Sequence, residues 1–152
     1  MIRRCVVVWF KVRVEFRVMK HEDTKGTKKH EEEPSYVIIG AALEVHRTLG
    51  PGLLESAYEA CLSHELRLRG VPIRRQTPLP LVYKGVHLKF AYRIDLLVED
   101  LIVVELKVVE HIPPVATSQL LTLLRLLNCR LGLIVNFYEP ILRSGIRRVV
   151  NG

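Results

Sequence analysis

The stretch 92-YRIDLLVEDLIVVELK-107 decides how the rest of the chain is read. It consists of two apolar runs separated by an acidic break at Glu99-Asp100. Each run is rich in Ile, Leu and Val, so each reads as a buried strand and the two together as a hairpin. Three charges interrupt the pattern: Asp95 in the first run, Glu105 and Lys107 in the second. Strand side chains alternate between faces, which puts Glu105 and Lys107 on one face and Val104 and Leu106 on the other. A three-residue loop, Glu99-Asp100-Leu101, sets Val98 opposite Ile102 and Asp95 opposite Glu105. A two-residue loop shifts the pairing by one and sends the two carboxylates to opposite faces. The longer loop wants a residue that tolerates positive φ, a role Asp100 fills moderately well.

Unpaired charge in so apolar a hairpin is costly. Either the face is solvated and Lys107 pairs with a carboxylate, or Asp95 and Glu105 hold a divalent cation with Lys107 beside it. An E-x-K triplet alone decides nothing, because such triplets are common on exposed strands. An Asp ten residues upstream on the partner strand narrows the choice.

Asp95 followed by Glu105-Leu106-Lys107 resembles the D…(D/E)xK signature of the PD-(D/E)XK nuclease superfamily, with Ile94 where the signature has Pro. Upstream, Gly52-Leu53-Leu54-Glu55-Ser56-Ala57-Tyr58 is similar to the pattern that names the GxxExxY proteins, a bacterial branch of that superfamily. The likeness extends through IIGAALEVHRTLGPGLLESAYE, QLLTLLRL and GLIVNF, from about Val37 to Val149. It implies an α/β fold: a restriction-endonuclease-like core, a mixed central β-sheet flanked by helices in αβββαβ order. It also implies a hydrolase acting on nucleic acid, DNA or RNA, with Mg²⁺ or Mn²⁺ as cofactor. Asp95 and Glu105 are then the metal carboxylates, with the Leu106 carbonyl as a third ligand. Glu55 is a third acidic group at the metal. Lys107 orients or deprotonates the attacking water or balances phosphate charge, and Gln119, on the helix after the E-x-K strand, positions water or substrate. Gly52 and Tyr58 are supporting positions.

Glu55 and Gln119 also admit readings free of the resemblance. Near the start of a helix, a Glu satisfies orphan N–H groups and the helix dipole. Gln119 can be a surface or capping amide. By parity Lys89, Ala91, Arg93 and Asp95 share a face if no bulge intervenes, so Lys89 and Arg93 suit phosphate oxygens or pair with the acids there.

The chain of 152 residues is expected to be a single folded domain behind two leading segments, residues 1–18 and 19–34, with the nuclease-like domain over 35–152. Residues 1–18 alternate apolar and basic side chains loosely, as a strand does. They carry five basic residues against Glu15, which makes +4 of the net charge of +7. The basic balance that favours a polyanionic partner therefore lies largely outside the matched text. Met19 reads as the natural start, and 1–18 as an upstream or variable extension. Residues 20–34 are charged and aperiodic and read as a flexible linker, with His21 and His30 in a solvated run.

Helices are expected over Ser35–Leu49, Leu53–Arg69 and from Pro113-Pro114 to about Leu127. In the second, Leu54, Ala57, Cys61 and Leu68 are expected to face the core. In the third, Leu120, Leu123, Leu124 and Leu127 form the stripe. Strands are expected at Pro72–Tyr83 (an edge strand, for its prolines), Val86–Val98, Leu131–Phe137 and Ile141–Val150. Three scattered cysteines, Cys5, Cys61 and Cys129, fit free thiols in a reducing cytoplasm. No run reaches the ~20 apolar residues of a membrane span. No phosphate-binding Gly loop, G-x-S-x-G or zinc spacing occurs. The leading expectation is a metal-dependent phosphodiesterase. The alternative is a non-catalytic nucleic-acid-binding or protein-interaction module that keeps the fold, and a homodimer is compatible with either.

Overall fold

In the computed structural model, described for the backbone of residues 5–9, 12–16 and 27–152 and for side chains from residue 34, the chain forms a layered α/β domain. Strands β1 (Cys5–Trp9) and β2 (Val12–Phe16) precede helices α1 (Thr27–Leu49) and α2 (Glu55–Leu68). Strands β3 (Ile73–Tyr83), β4 (Val86–Val98) and β5 (Ile102–Lys107) follow. Helix α3 (Pro114–Leu127), β6 (Leu131–Asn136) and β7 (Ile146–Val150) complete it. The strands lie side by side in chain order, β1 to β7. All neighbours are antiparallel except β5 and β6. A parallel pair needs a long crossover, and α3 is that crossover. Strands β3 to β7 thus form the mixed sheet of the expected core, which β1 and β2 extend to seven.

The sheet separates two apolar layers. Ile38, Ala41, Ala42 and Val45 of α1 and Tyr58, Leu62 and Leu66 of α2 pack against Leu96, Val98, Val104 and Leu106. On the other side Leu120, Leu123, Leu124 and Leu127 of α3 pack on Leu97, Val103 and Ile134. Each such leucine contributes roughly 1.5–3 kcal/mol by leaving water. Gly132 permits the close approach, since a Cβ there would meet Leu120 at 2.8 Å.

The hairpin has the three-residue loop. Val98 pairs with Ile102, Leu97 with Val103 and Leu96 with Val104. Glu99 and Asp100 both take positive φ, 53° and 56°, and Leu101 N–H donates to Val98 O at 3.0 Å. Two successive positive φ values match the right-handed twist of the flanking strands. Arg74 anchors the loop through an ion pair with Asp100.

Four expectations are corrected. Helix α1 begins at Thr27, not Ser35, and runs through Pro34. Its added turns draw on Lys and Glu, which are good helix formers, and they take up residues 27–34 of the supposed linker. Residues 19–26 lie outside the described residues. Helix α2 buries Tyr58, Glu59, Leu62, Ser63 and Leu66, whereas Leu54 and Leu68 are 78% and 69% exposed. The stripe runs 58, 62, 66, and the buried polar Glu59 and Ser63 disguised it. The last strand starts only at Ile146, because Leu142–Gly145 form a 3₁₀ turn. Finally, β3 is an edge over most of its length but pairs with β2 at Val82 and Tyr83.

Candidate functional site

The β4–β5 ladder stops at Leu96 and Val104. The next residues toward the open end are Asp95 and Glu105, which the ladder does not pair, and the alternation of β4 slips at Asp95, since Ile94 and Leu97 pack on the α3 layer and Leu96 on the other. Beyond the last pair, the Asp95 carboxylate takes over the cross-strand link, and Oδ2 accepts the Leu106 N–H at 2.9 Å. The two strands therefore fork, and the fork is where charge collects.

The partners of the two carboxylates come from opposite layers. Glu105 Oε2 accepts the Tyr92 hydroxyl at 3.3 Å and lies 3.6 Å from Lys107 Nζ. Tyr92 packs on the α3 layer. Asp95 Oδ1 accepts from Gln76 Nε2 at 3.4 Å, and Gln76 is tied in turn to Glu59 of α2. The two carboxylates are thus held from different sides of the sheet, close enough for the Asp95 charge to act on Glu105. Lys107 Nζ donates to the Leu106 carbonyl at 2.9 Å, so the ammonium occupies the very oxygen expected to be a backbone ligand.

Glu105 is 4% exposed. Burial, and then the Asp95 charge, push its carboxyl up to about 7 against the restraining Lys107 ammonium and Tyr92 hydroxyl. Burial likewise raises Asp95, opposed by the Leu106 N–H and Lys107. The Tyr92 phenol is driven upward by burial and by Glu105. One atom stands out: Glu105 Oε1 is buried and has no hydrogen-bond partner. A buried carboxylate oxygen without a donor is rarely left so.

Glu55 is the first residue of α2, and Leu54 caps the helix without a side-chain bond. The carboxylate reaches instead across to the sheet. Burial raises it, while Lys107 and the Val108 backbone amide lower it and Asp95 and Glu59 raise it again. Glu55 itself is exposed in the first turn of α2, and the charges that act on it are those of Lys107, Asp95 and Glu59.

The rest of the G-x-x-E-x-x-Y pattern explains how Glu55 is held. Gly52 takes φ 111°, a conformation costly for any residue with a Cβ. Tyr58 is fully buried and stacks on Phe137, with centroids 4.4 Å apart. Its hydroxyl donates to Gly50 O at 2.6 Å and accepts Leu53 N–H at 3.1 Å. Tyr58 thus fixes the loop before Glu55, not Glu55 itself.

Three other candidate residues are exposed. Gln119 is exposed on α3, and among the described residues no hydrogen bond joins it to the carboxylates. Lys89 and Arg93 are exposed on β4, but the parity that joined them is interrupted. The β3–β4 register shifts between Leu79 and Leu81, which pair with Tyr92 and Leu88. Three residues, 89–91, therefore face Pro80 alone, which has no N–H to continue the ladder.

Sequence reasoning missed four residues. Glu59 is buried and accepts from Arg75 Nε at 3.0 Å and from Gln76. Its signal was available, since it lies four residues after Glu55 and hence on the same helix face. Gln76 has φ 48° inside a strand, a conformation costing roughly 1–2 kcal/mol for a residue other than Gly. Tyr92, the first residue of the hairpin stretch, holds Glu105 through its hydroxyl. Asn136, fully buried, clamps the chain after Lys107 through two bonds to Val109, at 3.1 and 2.7 Å.

A family model described as the PD-(D/E)XK nuclease superfamily matches residues 32–149. The chain belongs to that superfamily. No curated relative and no solved structure matches it. The nuclease-superfamily match spans both helices of the first layer, the fork and α3, so the fork lies inside the shared domain. Among the described residues, no three His, Cys, Asp or Glu side chains make a metal cage by themselves. No helix of the described residues is long and apolar enough to cross a membrane.

Proposed function

We propose that the chain is a metal-dependent phosphodiesterase of the GxxExxY branch, hydrolysing nucleic acid at the fork of β4 and β5. The observation that carries this reading is Glu105 Oε1, a buried carboxylate oxygen with no donor, beside Asp95. A cation accounts for it, and two carboxylates suffice for an ion such as Mg²⁺, which keeps several of its waters. Asp95, Glu105 and the Leu106 carbonyl would hold the ion, with Glu55 at the outer edge. When bound, it supplies Lewis-acid stabilisation of phosphate charge and a more acidic water.

The chain's own residues do the rest. The Leu106 N–H and the Gln76 amide fix Asp95. Tyr92 holds Glu105 Oε2 and leaves Oε1 for the ion. Lys107 Nζ leaves the Leu106 carbonyl to meet the phosphate, where its charge opposes the negative charge that builds up during attack. Gln119, Lys89 and Arg93 are exposed and available to water or to substrate phosphates outside the acidic cluster.

One observation favours the alternative, a binding module with an internally compensated ion cluster: Lys107 already neutralises Glu105 at 3.6 Å. The test uses purified protein against single- and double-stranded DNA and RNA with Mg²⁺ or Mn²⁺. Metal-dependent cleavage lost in Glu105→Gln establishes the enzyme. Absence of cleavage and of metal binding in the wild type establishes the module. A bacterial cytoplasmic setting accords with the resemblance, and fractionation of the native source tests it.

A further inference from the structure

We propose that Gln76 is a positioning residue that sets Asp95 for the ion, braced from behind by Glu59 and Arg75. The inference rests on the metal-site reading above. By register Gln76 is the partner of Asp95, because Arg75 pairs with Leu96 and Thr77 with Ile94 on either side. The ladder skips that one pair, and Gln76 takes φ 48°. The departure from strand geometry aims its side chain at two carboxylates. Nε2 donates to Glu59 Oε2 and, at 3.4 Å, to Asp95 Oδ1. An amide nitrogen has two hydrogens and here has two acceptors, so the NH₂ end must face the carboxylates, and both of its hydrogens are used. Glu59 is held on its other oxygen by Arg75 Nε at 3.0 Å. The chain Arg75, Glu59, Gln76, Asp95 is continuous from the surface to the fork. Asp95 then has a donor on each oxygen, Gln76 on Oδ1 and the Leu106 N–H on Oδ2. Two donors fix the plane of the carboxylate and the lone pairs left for a cation. The apolar packing of the sheet does not need this amide, because the neighbouring pairs of β3 and β4 hold without it.

Calorimetric Mn²⁺ titration and thermal melts of the wild type, Gln76→Gly, Glu59→Ala and the double variant test this. Gly accepts the positive φ, so Gln76→Gly is expected to melt close to the wild type while binding Mn²⁺ 10–100-fold more weakly, the loss seen when groups that orient metal ligands are removed. Glu59→Ala is expected to weaken binding similarly. The double variant is expected to bind no more weakly than Gln76→Gly, because the two act in series. Unchanged Mn²⁺ affinity in Gln76→Gly overturns the inference and leaves the metal site standing. So does a melting point far below the wild type, which would make Gln76 a structural residue, or additive losses in the double variant. A wild type that binds no Mn²⁺ removes the metal site and this inference with it.

Discussion

Two ends of one hairpin differ in almost everything but their strands. At the turn end, Leu96, Val98, Ile102 and Val104 are fully buried and paired in register. At the open end, three to five residues away, stand Asp95, Glu105 and Lys107, and the ladder has stopped. The contrast shows what a forked sheet does. Where backbone N–H and C=O groups satisfy each other, side chains are free to be apolar and the layers close over them. Where the strands part, backbone groups need other partners, and polar side chains enter to supply them. Asp95 does so for the Leu106 N–H and Lys107 for the Leu106 carbonyl. The same residues that repair the fork form the candidate site.

The two ends should therefore fail in different ways. Leu96→Ala at the closed end is expected to cost about 3–5 kcal/mol, through lost burial and the cavity left between layers. Denaturant melts measure it, and Mn²⁺ affinity of the fraction still folded should hold. A stability loss below about 1 kcal/mol would mean that the turn end is not the rigid part. Lys107→Ala at the open end is expected to do the reverse. It removes the cation that sits on the Leu106 carbonyl and near Glu105, so metal binds more tightly, while turnover falls about 10²-fold or more, some 3 kcal/mol of transition-state stabilisation. Single-turnover cleavage beside a metal titration reads both. Weaker metal binding in this variant would contradict the role given to Lys107.

The closed end was legible in the sequence and the open end only in part, for the same physical reason. Apolar alternation, the acidic break and the α3 leucine stripe report burial directly, so the two strands and the face of α3 follow from pattern, while the choice between a two- and a three-residue loop stayed open until the structure gave the Val98–Ile102 pair. Asp95, Glu105 and Lys107 were visible because they violate that pattern. Gln76 was not, since a Gln in an edge strand is unremarkable and its positive φ leaves no compositional trace. Glu59 was hidden in α2 because its burial depends on Arg75 and Gln76, sixteen and seventeen residues away. Polar residues buried by distant partners misdirect a stripe count, and that is how Leu54 and Leu68 came to be assigned to the core. The bulge opposite Pro80 shows the converse. The proline was plain, but which side chains it would re-aim depends on the partner strand.

A titration sharpens the comparison further. The Glu105 carboxyl is raised to about 7 from the ordinary 4.5, so the metal-free folded state holds a proton that the unfolded chain gives up. Stability from this group is full below about pH 4.5 and is lost as pH rises through 7. Across that window the loss is roughly 3 kcal/mol, and the upward displacement of Asp95 acts in the same direction. Melts of the metal-free protein from pH 5 to 8 should show the decline, and Glu105→Gln should flatten it. Saturating Mn²⁺ at pH 8 should restore the wild type and not the variant. A metal-free protein that gains stability from pH 5 to 8 would contradict the raised Glu105 carboxyl.

The smallest effect is expected farthest from the fork. Strands β1 and β2 pair with each other over five residues, but among the described residues β2 pairs with the rest of the sheet only where Val12 and Arg13 meet Tyr83 and Val82. Those partners lie at the far end of β3, beyond the Pro80 irregularity and away from the layers that α1, α2 and α3 close. The family match begins at residue 32, so the shared domain does not include this hairpin. Removing residues 1–18 should therefore change stability by less than about 1 kcal/mol, the scale of one net backbone hydrogen bond, with metal affinity unchanged. It should matter more for association with polyanions, because it removes +4 of the +7 net charge. Nucleic-acid binding measured against salt should show a shallower slope in the shortened protein. A large drop in melting temperature would instead make β1 and β2 part of the cooperative core, and the closed end of the hairpin would no longer be the sheet's main source of stability.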